Sequence, residues 1–178
     1  QRVLVDEAQP GGVALFYFSG HGSRVYDTSV DDPSGLDSTI LPYDARTQEQ
    51  PLDITDDELG VVVAASLAKG VKPVVVLDSC NSGTGIRFLA QARSAPPVKR
   101  VAPVVRRNGA PKAIREVASG YGTLLAAAQD NEEALEMERN GTIHGEFTRA
   151  LVEALHGAEP DVTYLDVLTR VRAGMAAL

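Results

Sequence analysis

The sequence predicts an α/β fold in which helices flank a mostly parallel sheet. Three observations lead there. Apolar runs at residues 13–18, 71–77 and 123–128 have the length and continuity of strands buried on both faces. Segments with helical periodicity lie between or after them, so successive strands are joined by crossovers and run parallel. The first two strands end in glycine-rich turns, and each turn carries one chemically versatile residue. These are His21, in Ser19-Gly20-His21-Gly22, and Cys80, in Asp78-Ser79-Cys80-Asn81-Ser82-Gly83.

The elements follow in order. Residues 1–9 read as the tail of a helix or an irregular lead-in to the first strand. Residues 22–53 are rich in Asp, Ser, Pro and Gly and form a long excursion with a small hairpin, a length usually reserved for functional loops. Thr55 and Glu58 make a capping box, with Asp56 and Asp57 at the positive end of the helix that follows. Leu59, Val62, Val63, Ser66 and Leu67 give that helix one buried face, and Gly70 stands where its C-terminal cap belongs. Pro73 falls near the start of the second strand, where a missing donor is tolerated. Residues 84–92 read as helical. Residues 93–113 hold four prolines and six basic residues and read as an exposed linker. After the third strand, residues 145–156 form a helix with Phe147, Leu151 and Leu155 on one face, closed by His156 and Gly157. Thr163 and Asp166 open a last helix that runs to about residue 174.

Bulk properties set bounds. A chain of 178 residues with 44% hydrophobic content supports one domain with a real core. It has no apolar stretch of transmembrane length, and residues 1–6 do not resemble a signal peptide, so no membrane partner is expected. A single cysteine excludes an internal disulfide and fits a reducing compartment or a reactive thiol, and a cytoplasmic location is expected. The net charge of −7 argues against nucleic-acid binding. The chain opens on Gln1 as though mid-structure, and further sequence before it is expected. Asn140-Gly141-Thr142 matches a glycosylation acceptor, a pattern short enough to arise by chance.

His21 and Cys80 carry the chemistry. In a parallel sheet the carboxyl ends of the strands lie together, so imidazole and thiol can meet across one crevice, as nucleophile and proton shuttle. Each residue also has a plain structural reading: a histidine capping a strand, or an inert buried thiol. Glycines on both sides of His21 and the small polar neighbours of Cys80 favour catalysis. A turn leading into a helix also supplies donors that stabilise a thiolate. His144, read in a polar loop, and His156, at a helix end, are assigned no catalytic part.

These motifs resemble the caspase-like fold of cysteine peptidases, and most closely metacaspases and their bacterial relatives, the orthocaspases. The resemblance is carried by Phe16-Tyr17-Phe18-Ser19-Gly20-His21-Gly22, by Gly35-Leu36-Asp37, and by Ile40-Leu41-Pro42-Tyr43-Asp44. It continues in Ile54-Thr55-Asp56-Asp57-Glu58-Leu59, Asp78-Ser79-Cys80-Asn81-Ser82-Gly83-Thr84, Ala128-Gln129-Asp130 and Gly145-Glu146-Phe147-Thr148-Arg149-Ala150-Leu151. The blocks run in the family's order from about residue 13 to 156. Asn81 departs from the histidine that metacaspases commonly carry there.

The resemblance implies a caspase-like sandwich, incomplete at both ends, because the family's further strands before residue 13 and after the last helix are not found. It divides the chain into residues 1–92, large-subunit-like and bearing His21 and Cys80, the linker 93–113, and residues 114–178, small-subunit-like. It implies a cysteine endopeptidase acting on protein or peptide substrates, with backbone N–H groups of Gly22 and Cys80 as the oxyanion hole. Asp78, two residues before the nucleophile, with Ser19 and Asp130, is expected to line a pocket for Arg or Lys. An Asp that only hydrogen-bonds its own turn is the other reading. Lys99, Arg100, Arg106 and Arg107 then become candidate self-cleavage positions. The chemistry requires no cofactor. Calcium as an activator is an open alternative: Asp37, Asp56 and Asp57 match three of the family's acidic positions, while Arg87 occupies a fourth and opposes a cation. Two other functions stay open, namely a catalytically silent homologue serving as a scaffold and a same-fold protease with different specificity.

Overall fold

The computed structural model describes residues 1–27, 35–47, 52–79, 91–92, 122–128 and 134–176. Three parallel strands form the central sheet in the order β1-β5-β7: β1 (Val13–Ser19), β5 (Lys72–Asp78) and β7 (Thr123–Ala126). A second sheet is antiparallel and joins β2 (Gly22–Tyr26), β3 (Leu36–Ile40) and β4 (Ile54–Thr55). It is the hairpin expected within the long excursion. A third sheet joins β6 (Gln91–Ala92), β8 (Leu135–Arg139) and β9 (Thr142–Gly145). The helices are α1 (Asp56–Ala68), α2 (Glu146–His156) and α3 (Tyr164–Ala176), and Arg2–Asp6 make a π-helical turn ahead of them. Among the described residues no helix is long and apolar enough to cross a membrane.

The α1 grammar is realised in full. Thr55 Oγ1 accepts from the Glu58 N–H, and Glu58 accepts from the Thr55 N–H. At the other end Gly70 turns left-handed at φ 77°, while the N–H groups of Gly70 and Val71 donate to the carbonyls of Leu67 and Ser66. This double closure satisfies carbonyls that a helix end otherwise leaves open. Ser66 Oγ and Lys69 Nζ then donate to the carbonyls of Leu4, Val5 and Asp6, which fastens the N-terminal turn to α1.

The core lies on both faces of the central sheet. Val75 and Leu77 join Leu59, Val63 and Ile40 beneath α1. Val74, Val76 and Leu125 face the other way, against Phe147, Ala150, Leu151 and Ala154 of α2 and Val167 and Val171 of α3. The chain on either side of the 93–113 segment therefore shares one hydrophobic cluster.

Three expectations are corrected. β1 is not buried on both faces, since Val13, Leu15 and Tyr17 are exposed. Among the described strands β1 stands at the sheet edge, and α2 and α3 cover β5 and β7 instead. The helix read over 84–92 does not include its last two residues, because Gln91 and Ala92 pair as a strand with Glu136 and Leu135; residues 84–90 lie outside the described ones. His144 is on β9, opposite Met137, and not in a loop. The turn that forces this is Asn140-Gly141, at φ 53° and 78°, since two successive left-handed residues build the tight hairpin turn that matches strand twist.

Candidate active site

The site is built where β1 and β5 end together. Their parallel register pairs Ser19 with Asp78, and the Gly20 N–H extends the ladder by donating to the Asp78 carbonyl at 3.1 Å. Gly20 is held close: a Cβ there would lie 2.8 Å from Cζ of Phe18, so even alanine would displace that ring. His21 follows at the corner where the chain leaves the parallel sheet for the hairpin. Its carbonyl accepts from the Leu41 N–H at 3.0 Å, and its side chain is exposed. Gly22, buried, opens β2 opposite Ile40. The corner thus anchors the backbone of His21 on both sides while leaving the imidazole at the surface.

On the β5 side, Asp78 and Ser79 are buried, at 0% and 4% exposure. Cys80, the next residue, lies outside the described residues, as do Asp130, Lys99, Arg100, Arg106 and Arg107. Of the expected site residues, then, the structure brings Ser19, His21, Gly22 and Asp78 to one end of the central sheet. Asp78 is engaged by a residue that sequence reasoning did not single out. Oδ2 of Asp78 accepts from the Thr148 backbone N–H at 3.1 Å and also from Thr148 Oγ1. Thr148 Oγ1 lies 2.8 Å from the Tyr17 hydroxyl.

A second polar cluster supports the hairpin below His21. Arg46 grips the buried Asp53 with two nitrogens, at 3.1 and 2.7 Å, and donates to Ser23 Oγ at 2.6 Å. Thr39 Oγ1 also donates to Asp53, at 3.0 Å. A two-point guanidinium–carboxylate contact fixes orientation as well as charge. It ties the loop after β3 to the strand that begins one residue after His21.

A third cluster caps α2. Glu146, 1% exposed, accepts from Arg139 Nε at 3.0 Å and Arg149 Nε at 2.8 Å. Burial works to raise its pKa, but the guanidiniums of Arg149 and Arg139 outweigh it and hold the carboxyl below its ordinary 4.5. The spacing of Glu146 and Arg149, one helical turn apart, was the available signal for this pair.

The acids matched to a calcium site are placed on β3 and α1. Asp37 is buried on β3, and Asp56 and Asp57 occupy the first turn of α1. Among the described residues no three His, Cys, Asp or Glu side chains are grouped to hold a metal ion.

Residues 1–88 match the family model described as metacaspase, peptidase C14 domain. The chain is 40% identical over 83 residues to Metacaspase-1B of Aspergillus terreus, covering 47% of this chain and 21% of that protein. It is 41% identical over 81 residues to Metacaspase-2 of Arabidopsis thaliana, covering 46% and 19%. A longer match, 27% identical over 173 residues, links it to Metacaspase-1 of Arabidopsis thaliana and covers 95% of this chain and 45% of that one. The chain therefore spans less than half the length of these relatives. In fold it is similar to the crystal structure of protein GSU0716 from Geobacter sulfurreducens, with a TM-score of 0.56 and 24% identity over 94% of this chain and 63% of that one. The segment that carries β1, His21 and β5 thus matches the C14 peptidase domain of metacaspases over residues 1–88, and the chain is similar to a metacaspase along nearly its whole length.

Proposed function

We propose that this chain is a cysteine endopeptidase that cleaves peptide bonds after Arg or Lys. The observation that carries the reading is the β1–β5 register. It pairs Ser19 with Asp78, and His21 and Cys80 each follow their strand's paired residue by two positions. Kinship with metacaspases supports the same chemistry.

In the proposed reaction the Cys80 thiolate attacks the scissile carbonyl and forms a C–S bond. The oxyanion is stabilised by backbone N–H groups, those of Gly22 and Cys80. Protonated His21 delivers its proton to the leaving amine as the C–N bond breaks, giving a thioester. Neutral His21 then takes a proton from water, whose oxygen displaces the thiolate and releases the acid product. No cofactor takes part. The Asp78 carboxylate recognises the cationic substrate side chain and disfavours an acidic one, with Ser19 at its side and Asp130 as a further contact. Lys99, Arg100, Arg106 and Arg107 in the Pro-rich segment are candidate self-cleavage positions, and intact mass after prolonged incubation tests them.

The deciding experiment uses a peptidyl-Arg electrophile and fluorogenic peptides ending in Arg, Lys or Asp. Labelling of the wild type that is lost in Cys80→Ala, together with turnover of the Arg and Lys peptides, is expected. Absence of labelling favours a silent scaffold, and preference for the Asp peptide removes the basic pocket.

A further inference from the structure

Asp78 is fully buried, and the group that holds its Oδ2 comes from 70 positions further along the chain. Thr148 is the third residue of α2, where a backbone N–H has no acceptor within the helix. That N–H and the Thr148 hydroxyl converge on the same carboxylate oxygen. An ionised carboxylate only accepts, so the single hydroxyl proton of Thr148 is committed to Asp78. Thr148 Oγ1 must then accept from Tyr17, whose hydroxyl is 2.8 Å away. Proton counting therefore orders the donors as Tyr17 to Thr148 to Asp78.

The register explains why these three meet. Tyr17 pairs with Val76 and Ser19 with Asp78, and alternation along a strand puts Tyr17, Ser19, Val76 and Asp78 on one face of the sheet. Val76 on that face packs against α2, which sets the first turn of α2 over the strand ends. Capping the helix would need only one acceptor for the amide. Here one residue supplies two donors to one oxygen and is itself tied to the neighbouring strand, so the carboxylate is held in both position and rotation.

We propose that Thr148 is a specificity-positioning residue: it aims the Asp78 carboxylate at the substrate's basic side chain, so that the 114–178 part of the chain completes a pocket whose charge lies in the 1–92 part. This inference rests on the reading of Asp78 as the group that recognises Arg or Lys. It follows that a cut in the linker preserves specificity only while α2 stays docked on β5 through Phe147, Ala150, Leu151 and Ala154.

The test compares paired peptides ending in Arg or in citrulline, which keeps the shape of Arg and removes its charge. They are assayed with the full chain carrying Thr148→Val, Thr148→Ser or Tyr17→Phe. Wild type is expected to favour Arg over citrulline by about 100-fold in kcat/KM. Thr148→Val should lower that ratio about tenfold, equivalent to about 1.4 kcal/mol, through KM for the Arg peptide, while citrulline kinetics stay constant. Thr148→Ser should restore the ratio. A ratio unchanged in Thr148→Val, or a serine variant as impaired as the valine variant, overturns the inference and leaves Thr148 as a helix anchor. If Thr148→Val does not fold, Tyr17→Phe decides: a ratio lowered about threefold supports the relay and an unchanged one overturns it. Failure of the underlying reading looks different, because wild type itself would then treat Arg and citrulline alike.

Discussion

Asp78 and Glu146 are two buried carboxylates at the same end of α2, satisfied in opposite ways. Glu146 is met by guanidiniums from its own stretch of chain, three and seven residues away. Its contacts close over β9 and the first turn of α2, and they hold a helix end against a hairpin. Asp78 is met by a hydroxyl and an amide from 70 positions further along the chain. Arg139 and Arg149 against Glu146 and Glu153 bring the cluster close to local neutrality, which is what a structural role needs. The amide and hydroxyl of Thr148 are dipolar donors that orient the Asp78 carboxylate, which suits recognition of a cation.

The comparison can be broken most sharply at Asp78. Asp78→Asn keeps the shape and removes the charge, so kcat/KM on Arg peptides is expected to fall by at least about 100-fold, in line with the loss of one partner of a buried charge pair. Steady-state kinetics on Arg and citrulline peptides measures this, and equal losses on both would merge the two carboxylates into one structural class. Glu146→Gln should behave the opposite way. It removes the negative charge that Arg149 and Arg139 share and costs on the order of 3 kcal/mol of stability in chemical denaturation. Turnover per folded molecule should stay within about twofold, because no substrate contact is altered.

A pH series sharpens the same contrast. The folded pKa of Glu146 lies below its ordinary 4.5, so its stabilisation is fully present above that value. It is lost as the pH falls through 4.5 toward the folded value. The stability gap between wild type and Glu146→Gln should therefore be widest near neutrality and narrow on acidification, and a gap independent of pH would remove the ionic account. The smallest effect is expected at Thr55, a purely local contact. Thr55→Ala opens the α1 capping box and should cost about 1 kcal/mol, read as a shift in the denaturation midpoint with an unchanged slope.

How much was legible in the sequence follows the same division. The Thr55–Glu58 and Thr163–Asp166 boxes form as read, the latter with Thr163 Oγ1 accepting from the Asp166 N–H at 3.2 Å. The parallel pairing of β1, β5 and β7 also follows the sequence pattern. The β8–β9 hairpin has a local signal as well, since Asn140-Gly141 is a strong turn dipeptide. The Arg46–Asp53 grip and the Thr148–Asp78 contact were not legible. Neither has a fixed spacing, and each depends on two separate elements being packed together.

The sequence by itself determined where β1, β5, β7 and the three α-helices lie, which way the central strands run, and that His21 and Cys80 follow two strand ends. Those properties arise from periodicity, capping and turn chemistry within a few residues, and such interactions act before any fold exists. Only the tertiary structure decided that one face of β1 is exposed, that Gln91–Ala92 pairs with β8, and that the first turn of α2 lies on Asp78. The last of these depends on burying the apolar face of α2 against Val74 and Val76. Hydrophobic burial is non-directional, so which polar groups it brings together is settled by the packed geometry and not by any local pattern.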